Sequence, residues 1–231
     1  MKTITTSRLN SAVSALCPEI WSNISSTNQF EFTEKLLWEE LVCCILSSQV
    51  KFETSQLFTK SLKKKGLLNP KLDCDKFETK VKGVLTTPVK MNKKQIKYRF
   101  PNIKAKQINM AKENIYGMGI TIKNIFNEYT DPENLRSHLV SLIPGLGMKQ
   151  ASMYLRNTAN SYNLAVIDSH VLRYMNVIEL VENIPSTINK SQYLNKEKLL
   201  SNHAKGFGYP VGCVDFAIWI VMRVAQKDRW L

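Results

Sequence analysis

Residues 135–157 read LRSHLVSLIPGLGMKQASMYLRN, and after a short polar link residues 164–175 read LAVIDSHVLRYM. The first block divides at Pro144-Gly145-Leu146-Gly147 into two helices. Asp131-Pro132 opens the first of them, setting a side-chain cap before a proline whose missing N–H costs nothing at the first helical position. Leu135, Leu139, Val140 and Ile143 then hold one apolar face at helical spacing. Two glycines in the turn allow positive φ and close approach of another molecule. The second helix begins near Met148 and is expected to turn Ala151, Tyr154 and Leu155 inward. Its leading N–H groups make an anion site, and for a basic chain the fitting anion is a nucleic-acid phosphate. Gly145 and Gly147 are therefore candidate nucleic-acid-binding residues.

Lys149 sits in the first turn of that second helix, and Asp168 follows nineteen residues later at the cap position of the next. The pattern I-P-G-L-G-x-K-x-A followed by V-I-D-x-H resembles the helix-hairpin-helix glycosylase superfamily of base-excision repair. The lysine places the resemblance among its bifunctional members, and within these the compact archaeal-type 8-oxoguanine DNA glycosylase/AP lyases are the most similar. A hairpin alone is moderately specific, because polymerases, ligases and junction-binding proteins use it without catalysis. Hairpin, lysine and downstream aspartate together are far more specific. The segment Tyr98-Arg99-Phe100-Pro101-Asn102-Ile103-Lys104-Ala105 also resembles the family's R-F-x-N-x-K-A-x-x-I, and the likeness extends from about Trp38 to the C-terminus.

The chemistry suits these residue types. A neutral amine can attack C1′ of a deoxyribose, displace the base and hold the sugar as a Schiff base. An ordinary lysine is almost wholly ammonium at neutral pH. Desolvation and the positive end of a helix both disfavour that charge, so a lowered pKa is expected at Lys149. The resemblance implies that Asp168 helps activate the amine and stabilises cationic character on the sugar. Taken singly, the lysine reads as a phosphate contact and the aspartate as a helix cap. At this spacing the two read as a catalytic pair.

Composition agrees with a polyanion partner. The 231 residues carry 32 Lys+Arg against 19 Asp+Glu, a formal net charge of +13. Counterion release would make binding to a nucleic acid strongly salt-dependent. Charge alone does not separate DNA from RNA or acidic lipid. Cys17, Cys43, Cys44, Cys74 and Cys213 form neither a C-x2-C pair nor an even framework, so the expectation is reduced thiols with no zinc site, disulfide scaffold or iron–sulfur loop. No signal peptide is expected in the polar-rich start, and Phe216 to Val221 is too short to span a bilayer.

The remaining chain reads as helices: residues 6–16 ending before Pro18, a loop over 23–28, and a buried central helix from Thr33 to Ser47-Ser48-Gln49. Helices follow over 53–65 and 75–85, then a basic connector over 86–102, then a helix that residues 98–105 open and that runs to about 118, and helices over 120–129 and from the Asp168 cap to about 180. The last begins at Val211. Lys63-Lys64-Lys65 reads as a solvated face, as do Lys104, Lys106 and Lys112, with phosphate contact as the other reading for the latter three. No stretch alternates as a strand should. The fold class expected is all-α, with two helical lobes flanking a cleft, one domain over 1–231 and the hairpin motif over 131–159.

The resemblance implies excision of an oxidised purine, 8-oxoguanine foremost, from duplex DNA, followed by β-elimination at the sugar. No metal or organic cofactor is implied, apart from a structural cation that hairpin carbonyls could hold. Gln49 is a base-pocket candidate, with capping or solvation as an equal alternative. His170 is placed near the phosphate flanking the lesion, or else caps its helix. Asp215-Phe216-Ala217-Ile218-Trp219 resembles the family's D-L-x-L-W, which assigns base stacking to Trp219 and base recognition to the carboxylate of Leu231; the bland reading makes Trp219 core. The implied partner is double-stranded DNA bearing a damaged base, met by a monomer in the cytoplasm at the nucleoid and not at a membrane. The rival readings are an endonuclease III-like pyrimidine glycosylase and a hairpin module that binds DNA without catalysis.

Overall fold

Apolar residues at helical spacing dominate the chain, and helices dominate what it builds. The structure is a computed structural model that describes residues 5–26, 32–72 and 75–227. Eleven α-helices occur among them: α1 Thr6–Ser26, α2 Glu34–Leu46, α3 Phe52–Lys64, α4 Phe77–Thr86, α5 Pro101–Lys112, α6 Ile122–Glu128, α7 Pro132–Leu142, α8 Met148–Ala159, α9 Ser169–Val177, α10 Lys190–Lys205 and α11 Val211–Lys227. The fold is predominantly α-helical. Two three-residue strands, β1 Val89–Met91 and β2 Lys94–Ile96, pair antiparallel within the basic connector. The expectation of no strand is thus corrected: this ribbon is too short to show alternation in sequence.

The chain divides into two compact units, residues 31–159 and residues 1–30 with 160–231. In the first, α2 is the axis. Leu37, Trp38, Leu41, Val42, Cys43, Cys44, Ile45 and Leu46 are all buried, as a helix apolar around most of its circumference requires. Thr33 caps it by accepting from the amide of Leu36 at 3.3 Å. Helices α3, α5, α6 and α8 pack around it. Each large side chain so buried contributes about 1.5–3 kcal/mol. Tyr98 stacks edge-on against Phe58 and donates its hydroxyl to the carbonyl of Leu46 at 2.7 Å, tying the entry of α5 to the end of α2. The helix after Pro101 closes at Lys112 and passes into a π-helical turn, Glu113–Gly117.

In the second unit α11 is central and packs against α1, α9 and α10. Helix α1 does not end before Pro18 but runs through it to Ser26, so residues 23–26 are helical and not loop. Proline removes one backbone bond there. Leu9, Val13 and Cys17 before it and Ile20 near it are buried on one face, and that shared burial holds the helix axis. Gly212 opens α11 where a Cβ would meet the Tyr162 carbonyl at 2.9 Å, and its own amide donates to that carbonyl at 2.8 Å. Only glycine permits this approach. Cys17, Cys43, Cys44 and Cys213 are free, buried thiols, and Cys74 lies outside the described residues. Among the described residues no helix is long and apolar enough to cross a membrane.

Candidate functional site

The hairpin of the first unit is α7, the turn Pro144–Gly147, and α8. Asp131 caps α7 by accepting from the amide of Asn134 at 2.8 Å, with Pro132 in the first turn. Leu135, Leu139 and Ile143 are buried, and Val140 is half-buried. Two polar ties fix the helices to each other and to the core. The buried Arg136 donates to the hydroxyl of Ser152 at 3.0 Å, and the Tyr154 hydroxyl donates to the carbonyl of Leu37 in α2 at 3.2 Å. Ala151, Tyr154 and Leu155 are wholly buried.

The turn itself is built on Gly145, whose φ is +83°, in the left-handed region. A Cβ at Gly145 would collide with the side-chain amide of Gln107, which fills the space beneath the turn. This glycine is demanded by the protein's own packing as well as by any molecule in front. Gly147 differs: it is exposed, it is not among the positive-φ glycines, and a Cβ there would meet only Gln150 Oε1 at 3.3 Å. The first backbone bond of α8 joins the Ala151 amide to the Gly147 carbonyl at 2.9 Å. The amides preceding it have no intrahelical acceptor and form the open end of the helix dipole.

Lys149 is half-buried in that first turn, its Nζ 3.8 Å from the sulfur of Met153. It lies within electrostatic reach of Cys44. Burial pushes the Cys44 thiol well up, the carboxylate of Glu40 adds to that, and the Lys149 charge pulls the other way. Glu40 is itself raised by burial, and accepts from Asn157 at 2.7 Å. The Glu40–Cys44 pair beside the lysine was not singled out in the sequence, because both lie on a helix face that reads as plain core. Gln49 is exposed just past the end of α2, in the left-handed region at φ +59°, which leaves a polar side chain at a strained exposed corner.

Asp168 belongs to the second unit, and the segment before it is held almost entirely by side chains. The Val166 amide donates to Asp215 Oδ2 at 2.6 Å, the Ala165 amide donates to Glu197 Oε1 at 2.8 Å, and the Tyr193 hydroxyl donates to the Ala165 carbonyl at 2.7 Å. All three side chains are buried. Asp168 then caps α9, its Oδ1 accepting from the amides of His170 at 2.8 Å and Val171 at 2.9 Å. His170 is therefore capped and does not cap. Its Nδ1 is buried without a hydrogen-bond partner among the described residues. Burial lowers the imidazole pKa, Asp168 opposes this, and the cations of Arg223 and Arg173 lower it further.

Trp219 is half-buried on α11, which corrects the bland reading of it as core. The ring of Phe216 stacks on it with centroids 5.9 Å apart at 24°, and the Arg223 guanidinium lies 4.5 Å from the indole centroid. Leu231 lies outside the described residues. The lysines divide three ways. Lys104 is buried, against the expectation of an exposed face, because α5 turns it inward with Ala105 and Ile108. Lys112 donates to the Leu72 carbonyl at 2.8 Å, and Lys63 pairs with Glu39 at 2.7 Å, so neither is simply solvated. Lys106 is exposed. Among the described residues no group of three or more His, Cys, Asp or Glu is placed to hold a metal.

Comparison with known proteins sets this geometry in a family. The family described as 8-oxoguanine DNA glycosylase, of helix-hairpin-helix type, matches residues 23–209. A Saccharolobus solfataricus 8-oxoguanine DNA glycosylase/AP lyase is 39% identical over 128 residues, a match that covers 54% of this chain and 60% of that one. The Sulfolobus acidocaldarius protein of the same description is 32% identical over 188 residues, covering 80% of this chain and 81% of its own. Among solved structures, the Thermotoga maritima 8-oxoguanine DNA glycosylase superposes with a TM-score of 0.72 at 27% identity over 93% of each chain. The Methanocaldococcus jannaschii glycosylase/lyase, in complex with a 15mer DNA containing 8-oxoguanine, shares the fold with a TM-score of 0.73 at 23% identity over 90% of this chain and 94% of that one. With a hairpin built on Gly145, a lysine in the first turn of α8 and an aspartate capping α9, the chain belongs to the helix-hairpin-helix family of 8-oxoguanine DNA glycosylases.

Proposed function

We propose that this chain is a bifunctional DNA glycosylase/AP lyase that excises 8-oxoguanine from duplex DNA and nicks the strand at the resulting site. The observation that carries the reading is Lys149, half-buried in the first turn of α8 directly after the hairpin glycines. A lysine displayed only to bind phosphate gains nothing from partial burial, which penalises its charge. An amine that must be neutral to act as a nucleophile gains from it.

The damaged nucleotide leaves the stack, at a cost of about a few kcal/mol. The hairpin amides and Gly147 hold a backbone phosphate without reading sequence. Lys149 Nζ attacks C1′, the glycosidic bond breaks, and the base departs with a proton. The C1′–O4′ bond then opens as O4′ takes a proton, leaving a protonated Schiff base at C1′; this acidifies C2′, and loss of that proton with β-elimination expels the 3′ phosphate. Asp168, acceptor-only when ionised, stabilises the cationic sugar and takes up a proton. His170, kept neutral by burial and neighbouring cations, serves the flanking phosphate as a hydrogen-bond donor. Trp219 stacks on the base, Gln49 contacts it or its surroundings, and the Leu231 carboxylate meets the N7–H that distinguishes 8-oxoguanine from guanine. The protein works as one catalytic domain, as a monomer.

Sodium borohydride reduction is the test. The wild-type protein is expected to trap covalently on duplexes bearing 8-oxoguanine or an abasic site, and Lys149→Gln to lose trapping while still binding DNA. Absence of a trapped species in the wild type leaves a DNA-binding module. Trapping and excision on oxidised pyrimidine but not on 8-oxoguanine moves the substrate to the pyrimidine class.

A further inference from the structure

Between Glu78 and Glu113 the chain has ten Lys+Arg and not one Asp or Glu, against a net charge of +13 for the whole sequence. The β1–β2 ribbon stands in the middle of this stretch. Its register pairs Val89 with Ile96, Lys90 with Gln95 and Met91 with Lys94. Alternation puts Val89, Met91 and Ile96, all half-buried, on one face together with the exposed Lys94 opposite Met91, and Lys90, Gln95 and Lys97, all exposed, on the other. Lys93 and Lys94 are exposed at the tip. None of these four lysines has an ion-pair partner among the described residues.

The tip adds a second, independent observation. Asn92 and Lys93 have φ of 49° and 65°, the successive left-handed residues of a tight hairpin turn. Such a turn favours Asn followed by Gly, since a Cβ is disfavoured at the second position. Here the second position holds a lysine. A cation stands at the ribbon's point where the backbone would be better served by glycine.

We propose that this ribbon is a second contact to the DNA backbone, separate from the hairpin, which grips the sugar-phosphate strand of the duplex through Lys90, Lys93, Lys94 and Lys97. The inference rests on the reading of the chain as a protein that acts on duplex DNA. The exposed face carries amides and ammonium groups but no aromatic ring on which unpaired bases could stack, which favours a duplex backbone over single-stranded nucleic acid. It carries no exposed apolar side chain to enter a lipid surface. The contact is indifferent to sequence and to damage. It supplies affinity and holds the protein to undamaged DNA during search.

Binding to an undamaged duplex, measured by fluorescence anisotropy across a salt series, tests this. Removing one lysine–phosphate pair should flatten the slope of log K against log salt by about 0.9. Lys93→Gly is the decisive variant: it should hold or raise the melting temperature, because the turn is relieved, and yet flatten the slope by about 0.9. Lys90→Ala, Lys93→Gly, Lys94→Ala and Lys97→Ala together should flatten it by roughly 3–4, and the four Lys→Arg substitutions should restore it. A slope unchanged in Lys93→Gly and in the quadruple variant, with circular dichroism intact, overturns the proposal. So does a loss confined to single-stranded RNA. Borohydride trapping of the wild type, run in parallel, separates the two readings. A flattened slope without wild-type trapping keeps the ribbon and removes the glycosylase, and trapping with an unmoved slope does the reverse.

Discussion

The guanidinium of Arg223 lies 4.5 Å from the centre of the Trp219 indole, and Phe216 stacks on the same ring at 5.9 Å. Phe216 is one turn before Trp219 on α11 and Arg223 one turn after, so the indole is held between them along the helix. A base that stacks on Trp219 must therefore displace one neighbour. Arg223 is the easier to move, because it is exposed and its charge remains hydrated when it swings away. Trp219→Ala is expected to slow excision of 8-oxoguanine by roughly five- to 150-fold, the worth of one stacked base at about 1–3 kcal/mol. Cleavage at a plain abasic site, where no base needs a platform, should stay within about twofold. Single-turnover rates on the two substrates decide the matter. Equal losses on both would make the ring a structural prop.

The two hairpin glycines should fail in different ways. Gly145 has φ +83° and Gln107 packed where its Cβ would lie, so Gly145→Ala is expected to destabilise the fold by about 1–2 kcal/mol from the left-handed backbone alone. Adding Gln107→Ala should recover the steric part and leave the backbone part. Gly147 has neither constraint, and Gly147→Ala should leave the melting temperature nearly unchanged. Any loss of affinity in Gly147→Ala then reports the approach of DNA, and it should be the same for damaged and undamaged duplexes. Thermal melts beside titrations of both duplexes separate these effects.

What the sequence disclosed follows from the range of the forces involved. Asp131-Pro132, Thr33 and the apolar faces of α2, α8 and α11 act over a few residues, and their helices stand where local reading puts them. Pro18 is misleading, because burial of Cys17 and Ile20 against other helices outweighs one missing backbone bond. The β1–β2 ribbon is invisible in the sequence, because its turn uses lysine where glycine is the usual signal. Asp215 is legible only as part of a motif. Its work, accepting from the amide of Val166 across 49 positions of sequence, needs the fold to be known. The same holds for Gln107 beneath Gly145.

Lys104 reads as one of several surface lysines in α5, yet it is only 5% exposed, and no acceptor lies within hydrogen-bonding distance of its ammonium among the described residues. Burial lowers its pKa from 10.5 to about 8. The folded value is below the unfolded one, so the unfolded chain binds more protons across that window and stability rises with pH through it. The penalty for burying the charge is complete below about pH 8 and gone above 10.5. Lys104→Met is accordingly expected to raise stability at pH 7 by roughly 1–3 kcal/mol, with the gain shrinking as pH rises from 8 to 10.5. Urea denaturation of both proteins across that range checks it. A gain independent of pH would mean that improved packing, and not the ammonium, accounts for the difference.

Asp168 offers the cleanest separation of structure from chemistry. Its Oδ1 accepts from the amides of His170 and Val171 at 2.8 and 2.9 Å and so completes the first turn of α9. An asparagine in the same place presents an amide oxygen with two lone pairs, and can accept both bonds. Loss of a cap altogether costs about 0.5–2 kcal/mol, but Asp168→Asn should cost less because the cap persists. Chemistry is another matter, since a neutral amide can neither take a proton nor offset positive charge on the sugar. Asp168→Asn is expected to lower the single-turnover rate of excision by about a hundredfold or more, with DNA affinity and melting temperature little changed. Asp168→Ala should instead lose both rate and stability. A small effect of Asp168→Asn on rate would leave this carboxylate as the cap of α9 and nothing else, and the charge that steadies the cationic sugar would have to come from another residue.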